Sequence, residues 1–331
     1  MSKREEFIRL MNGDTPKRTL FYPILMHFAA RYNKHTYGEF ASDYRMLVDS
    51  NLKCLRDFDL DIVSLISDPY RETAAFGAEI EFIPEGVPVC KNRVIKSTTD
   101  IHNLKNPDVL NCARTLDRIK GVELYKKFLI NEVPIMGWVE GPLAEACNLA
   151  GVGEMLIMLM TEPENASILL DKCIITAKDF ARAQIEAGCD LIGIGDAICS
   201  QIDSESYRNF VLDRHRDLIN YIHSLGAFVK LHICGDTTHL WPFLSLLKLD
   251  IFDPDYMTNM KEARNTIGPD VTLSGNINPV ELQNMTVNEA FIESERMLKS
   301  SAGERFILSA GCEITVNTPP ENLKAMRRAA Q

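Results

Sequence analysis

Phe228-Val-Lys-Leu-His232-Ile-Cys234-Gly235-Asp236 is a short apolar run that stops at a glycine and a polar turn. An apolar run of this length, from Ala227 to Ile233, suits a strand buried on both faces, as in a parallel sheet. Residues two apart on a strand face the same side, so His232 and Cys234 can point at one ion. They stand where the strand gives way to the turn, at the end of a strand where barrel enzymes assemble their active sites.

Seven other runs of this kind accompany it: Leu20–Phe28, Asp61–Ile66, Pro134–Val139, Leu191–Gly195, Asp250–Asp253, Thr272–Gly275 and Phe306–Ser309. The stretches between them read as helices. Ser42–Asp57 opens on a capping Ser and repeats apolar residues at helical spacing (Met46, Leu47, Leu52, Leu55). Pro163–Gly188 has Pro in its first turn and Gly at its end, the asymmetry that helix termini favour. Ser204–Gly226, Asn278–Ser301 and Pro319–Ala330 carry similar signals.

Strands alternating with helices predict a right-handed parallel α/β fold, and eight such units predict a (β/α)8 TIM-type barrel. The connection from Ile66 to Pro134 is long. Its β-like stretch Glu79–Val94 and a helix over Pro107–Leu129 predict an insertion between strands 2 and 3. With no Pro-, Gly- or Ser-rich linker and no internal repeat, residues 1–331 read as one domain.

Composition narrows the partners. The formal net charge of −10 opposes nucleic acid and an anionic membrane surface alike. The greasiest stretch, Met155–Met160, is far shorter than the roughly 20 residues of a membrane helix, and its methionines read as core packing. The amino-terminal MSKREEFIRL has charges where a secretory signal needs an apolar core, so a cytoplasmic location with reduced thiols is expected.

The histidine and cysteine of the fifth strand need a third ligand to make a metal site. Ser309-Ala-Gly-Cys312-Glu313 supplies one at the matching end of the eighth strand. Three ligands, His232, Cys234 and Cys312, leave one position of a tetrahedral zinc for water or substrate, which is the pattern of a catalytic site. Cys is also among the most buried residue types, and a strand His can be a hydrogen-bonded core residue; Cys312 at a second strand end tips the balance toward metal.

Two thiolates cancel the charge of the dication. Such a centre lowers the pKa of a bound thiol yet leaves its sulfur nucleophilic, which suits alkyl transfer; activation of water stays open as well. Other polar residues fall at strand ends. Glu140, Asp196 and Glu313 are candidate catalytic groups or a fourth ligand. Asp253, with Asp255 beside it, and Asn276 are candidates for binding cofactor or substrate or for orienting His232. Each alone could equally be a helix cap or a solvated loop residue; together they favour a polar pocket. His27, read as lying on the first strand, is either near this mouth or a satisfied core histidine. The seven other cysteines have no metal-like spacing, and Gly193-Ile-Gly195 and Gly151-Val-Gly153 lack the context of a dinucleotide site.

These segments resemble the uroporphyrinogen decarboxylase superfamily, and within it the corrinoid-protein-dependent methyltransferases of the coenzyme M type. The resemblance spans nearly the whole chain. It rests on Gly137-Trp-Val-Glu140-Gly-Pro142, Ala187-Gly-Cys-Asp190 with Gly195-Asp196, His232-Ile-Cys234-Gly235, Gly275-Asn276-Ile-Asn-Pro279, and Ser309-Ala-Gly-Cys312-Glu313 with Thr318-Pro-Pro-Glu-Asn322. It implies a (β/α)8 barrel and zinc on the His-x-Cys pair and the distant Cys. It also implies methylcobalamin carried by a partner corrinoid protein, and a thiol or pterin acceptor such as coenzyme M or tetrahydrofolate.

The decarboxylase branch is the rival. Its members carry an arginine-rich segment near the N-terminus that pairs with the acid groups of the porphyrinogen. The matching stretch here, Phe21 to Tyr32, offers only Arg31, where a polyanionic tetrapyrrole needs several cations. A third reading is a non-catalytic module that binds a corrinoid protein or tetrapyrrole.

Overall fold

Each of the eight apolar runs contributes a strand to one sheet in the computed structural model, which describes residues 1–300 and 305–331. The strands are β1 (Leu20–Phe21), β2 (Val63–Ser64), β3 (Ile135–Glu140), β4 (Leu191–Gly195), β5 (Phe228–Ile233), β6 (Ile251–Pro254), β7 (Thr272–Ile277) and β8 (Phe306–Ala310). They lie in the order β1-β8-β7-β6-β5-β4-β3-β2, every ladder parallel. The sheet curls until its ends meet, where the Asp61 N–H donates to the Phe21 carbonyl at 3.0 Å. This is the expected TIM-type α/β barrel. Every residue of β3, β4, β6, β7 and β8 is buried, because one face of the sheet lines the barrel and the other lies under helices.

Helix Pro163–Ala187 shows how the outer layer is held. Leu169, Leu170, Cys173, Ala177, Phe180 and Gln184 are buried at helical spacing, Pro163 opens the helix, and Gly188 at φ +122° closes it. The insertion after β2 holds a short helix (Arg71–Ala75) and an antiparallel hairpin pairing Ile80–Glu81 with Val89–Cys90. Two more helices follow, Thr98–Asn103 and Ala113–Leu129. No single helix among the described residues is long and apolar enough to cross a membrane.

Several boundaries differ from expectation, each for a local reason. The first strand stops near Pro23, which has no N–H for the ladder, so His27 begins a helix (His27–Tyr32) instead of ending a strand. The next long helix starts at Tyr44. Asp43, not Ser42, caps it by accepting the Arg45 N–H at 2.8 Å. Ser204–Gly226 is divided by a wide π turn over Tyr207–Val211. Asn278–Ser301 is two helices, Pro279–Asn284 and Val287–Ser300, separated by extended Met285; its expected end at Ser301 lies outside the described residues. Within Met155–Met160, Met155 is core, but Met160 is 84% exposed.

Strand register sets the functional rim. In adjoining ladders Glu140 pairs with Gly195, Gly195 with His232, and His232 with Asp253. Four strands thus bring these positions into one layer at the carboxyl end of the barrel, where such folds place their sites.

Candidate metal centre and its cavity

His232 is the next-to-last residue of β5 and Cys234 follows the strand by one position. Gly235, at φ +85°, then turns the chain in a conformation that L side chains rarely adopt. The turn is pinned because the Gly235 N–H donates to Asp255 Oδ2 at 2.6 Å. Cys312 arrives from the loop after β8. A Cβ on Gly311 would lie 2.8 Å from the Tyr256 Cα, so only glycine lets this loop press against the loop after β6.

The three side chains converge as a result. His232 Nε2 lies 3.2 Å from Cys234 Sγ, and the two sulfurs are 3.9 Å apart. The three candidate ligand atoms all fall within 4.8 Å of one another. One imidazole nitrogen and two thiol sulfurs, this close and on separate elements, form a donor set that fits zinc.

The ring of His232 is oriented from behind. Its Nδ1 lies 3.1 Å from the Asp253 carbonyl and 3.3 Å from Asp253 Oδ2, which leaves Nε2 facing the sulfurs. Buried Asp253 is held ionised, its carboxyl below the usual range despite burial, by Lys230, whose Nζ is 2.7 Å from Oδ2. Lys230 precedes His232 by two on the same strand face. Between the cysteines, a shared hydrogen bond, with His232 beside it, lowers the Cys312 thiol to about 4 and pushes Cys234 up.

The triad opens into a cavity of about 180 Å³. Its wall is mostly apolar, with Ile24, Met26, Ile66 and Trp138 prominent, and it includes three carboxyl groups, Asp68, Glu140 and Glu313. Burial raises Glu140 to about 8. The ion pair with Arg71 (Nη2 to Oε1, 2.7 Å) opposes that rise without cancelling it, and neighbouring Glu72 adds to it. Burial likewise raises Glu313 to about 7, against the His27 N–H that donates to its Oε1 at 2.8 Å. Asp68 goes the other way. Arg114, 2.5 Å from Oδ2, and Arg71 outweigh burial and hold it at about 2.

The structure therefore brings Glu140, His232, Cys234, Cys312 and Glu313 around one space. Three other candidates stand off it. Asp196 is fully buried and caps the helix Pro142–Ala150, accepting the Ala144 N–H at 2.6 Å and pairing with His215 at 3.0 Å. Beside them lies Cys199, and His215 in turn meets the Tyr207 hydroxyl at 2.9 Å. Asp253 sits beneath His232. Asn276 turns its amide to the Asp255 and Thr258 carbonyls and borders a separate groove.

Asp68, Arg71, Glu72 and Glu145 were not anticipated. For the first three the nearest signal is the polar string Ser67-Asp68-Pro-Tyr-Arg71-Glu72, which begins three residues past the end of β2 and marks a strand end but not which side chains meet; Glu145, in the helix Pro142–Ala150, has no such signal.

Comparison with known proteins agrees with the fold. The uroporphyrinogen decarboxylase (URO-D) family profile matches residues 2–331. A uroporphyrinogen decarboxylase of Geobacter metallireducens is 28% identical over 316 residues, 90% of each chain. The methylcobamide:CoM methyltransferase MtbA of Methanosarcina mazei is 28% identical over 240 residues, 72% of this chain and 69% of that one. A solved structure, a methyltransferase from Methanosarcina mazei, superposes with a TM-score of 0.91 over 100% of this chain and 98% of its own. At 20% identity that likeness speaks for the fold alone.

Proposed function

The chain belongs to the uroporphyrinogen decarboxylase family, whose named relatives include decarboxylases and methyltransferases, and within it we propose a zinc-dependent methyltransferase. The reaction moves a methyl group between the corrinoid of a partner protein and a thiol or pterin acceptor. The observation that carries this reading is the convergence of His232, Cys234 and Cys312 on one point at the rim, facing a cavity.

His232 Nε2 and the sulfurs of Cys234 and Cys312 would hold the zinc. Bound there, zinc supplies Lewis acidity that turns an acceptor thiol into a thiolate at neutral pH. Asp253 and Lys230 keep the imidazole turned to the site. The apolar wall around Trp138 excludes water, so the acceptor sulfur keeps its nucleophilicity. In the transfer the sulfur's electron pair forms the S–CH3 bond, while the Co–C bond breaks and leaves its pair on cobalt. Glu140 and Glu313 border the same space and are the side chains positioned to hold the proton that the thiol gives up.

The decarboxylase reading has a relative of equal identity and longer overlap in its favour. Against it stand the chemistry and size of the cavity. About 180 Å³ suits a small molecule, and among the described residues no Lys or Arg lines it. A polyanionic tetrapyrrole asks for the opposite.

The test is metal analysis of purified protein, then demethylation of methylcobalamin with a thiol acceptor, followed by absorbance. The expected result is one zinc per chain and turnover, both lost in Cys312→Ala. Turnover of uroporphyrinogen that survives Cys234→Ala and Cys312→Ala would instead select the decarboxylase.

A further inference from the structure

The cavity beside the triad has a charge pattern as well as a size. Besides the triad, the ionisable side chains at its wall are three carboxylic acids, Asp68, Glu140 and Glu313, and the phenol of Tyr37. The arginines nearest to them do not reach the space. Arg71 is fully buried behind Glu140, and Arg114 is engaged with Asp68 Oδ2 and the Ala41 carbonyl. In each ion pair the carboxyl end is the one at the cavity wall.

Ionised or protonated, these acids offer no positive charge to a ligand. The triad offers none either, because two thiolates formally cancel a zinc dication. The remaining wall is hydrocarbon and aromatic apart from the hydroxyls of Ser67 and Tyr37, which donate to Asp68 and to the Ser67 carbonyl. A carboxylate or sulfonate entering this space would lose its hydration and find no counter-charge, the costliest way to bury a charge. A hydroxyl or ammonium group would meet three carboxyl acceptors.

Resting on the methyltransferase reading above, we propose that the acceptor is a small thiol without an anionic group, neutral or cationic at its far end. The volume agrees. An apolar cavity of roughly 150 Å³ holds a benzene-sized molecule, so about 180 Å³ leaves room for a thiol of a few carbons with its polar end. Val87, 54% exposed on the hairpin loop, forms the outer lip. Acceptors of similar length therefore differ in binding chiefly by the charge they carry past it.

The test uses four thiols of similar length with the zinc-loaded protein: 2-mercaptoethanol, cysteamine, 3-mercaptopropionate and 2-mercaptoethanesulfonate. Methylcobalamin demethylation gives kcat and KM for each. Binding to the zinc-loaded protein without methylcobalamin is followed separately by tryptophan fluorescence, Trp138 lining the cavity. The neutral and cationic thiols should show KM and dissociation constants lower by roughly tenfold or more, a modest part of what an unpaired buried charge costs.

Val87→Lys, which brings an ammonium to the lip, should narrow that ratio from the anionic side. Equal or tighter binding of the sulfonate or carboxylate thiol by the wild type overturns the proposal. If no thiol is methylated, the methyltransferase reading fails, and the fluorescence series still decides the charge preference of the cavity.

Discussion

Asp253 supports the candidate metal centre without facing its cavity. It meets Nδ1 of His232 on one side and the Lys230 ammonium on the other, and all three are buried. Two effects separate by mutation. Asp253→Asn weakens the partner that orients the imidazole, and zinc affinity should fall by about 10- to 100-fold in chelator competition, the usual cost of losing such a support. Lys230→Met leaves Asp253 as an unpaired buried charge, and urea unfolding should show a loss of about 3–5 kcal/mol. Lys230→Met combined with Asp253→Asn removes both charges, so most of that stability should return while zinc affinity stays low. Unchanged zinc binding in Asp253→Asn would mean that the backbone carbonyl alone orients the ring.

At the scale of the element, what sequence reveals depends on how local the cause is. His232 and Cys234 could be assigned to one face because strand periodicity is local, and Cys312 because it follows a recognisable strand. The early end of β1 was also local, written in Pro23, although the apolar run continued past it. Arg71 was out of reach: it meets Glu140 across 69 residues of sequence, and no spacing encodes that contact. Asp196 shows a carboxylate at a strand end doing a helix cap's work, a distinction that only packing makes. The loops after β6 and β8 illustrate the same dependence. Gly311→Ala would place a methyl against the Tyr256 backbone, where no flexible side chain can yield. The two loops must part, drawing Cys312 from Cys234. We expect a loss of about 1–3 kcal/mol in urea unfolding, as for other overpacked sites. Zinc affinity should fall too, whereas Ala at solvent-facing Gly153, in a helix and meeting nothing within 4 Å, should leave zinc affinity unchanged and raise stability by up to about 1 kcal/mol.

For the whole molecule, the buried acids make stability depend on pH in two opposed directions. Asp68 has a folded pKa of about 2, below its ordinary 3.8, because Arg114 and Arg71 favour the carboxylate. Its contribution is fully present above pH 3.8 and is lost as pH falls toward 2; that difference corresponds to about 2 kcal/mol. Glu140 is displaced upward, from 4.5 to about 8, because burial outweighs its pair with Arg71. Folding therefore favours its protonated form. The stability associated with it is fully present below pH 4.5 and declines as pH rises toward 8. Buried Glu72 and Glu145 are displaced in the same direction and add to this decline. Thermal unfolding of metal-free protein should thus show an acid loss below pH 4 to which Asp68 contributes, and a larger destabilising contribution from Glu140, Glu72 and Glu145 between pH 4.5 and 8. Glu140→Gln keeps a hydrogen-bonding amide without the ionisation, so it should flatten the upper limb and leave the acid limb in place. Asp68→Asn should do the reverse. A Glu140→Gln profile that still declines as steeply as the wild type would place the penalty on Glu72 and Glu145, deeper behind the cavity wall.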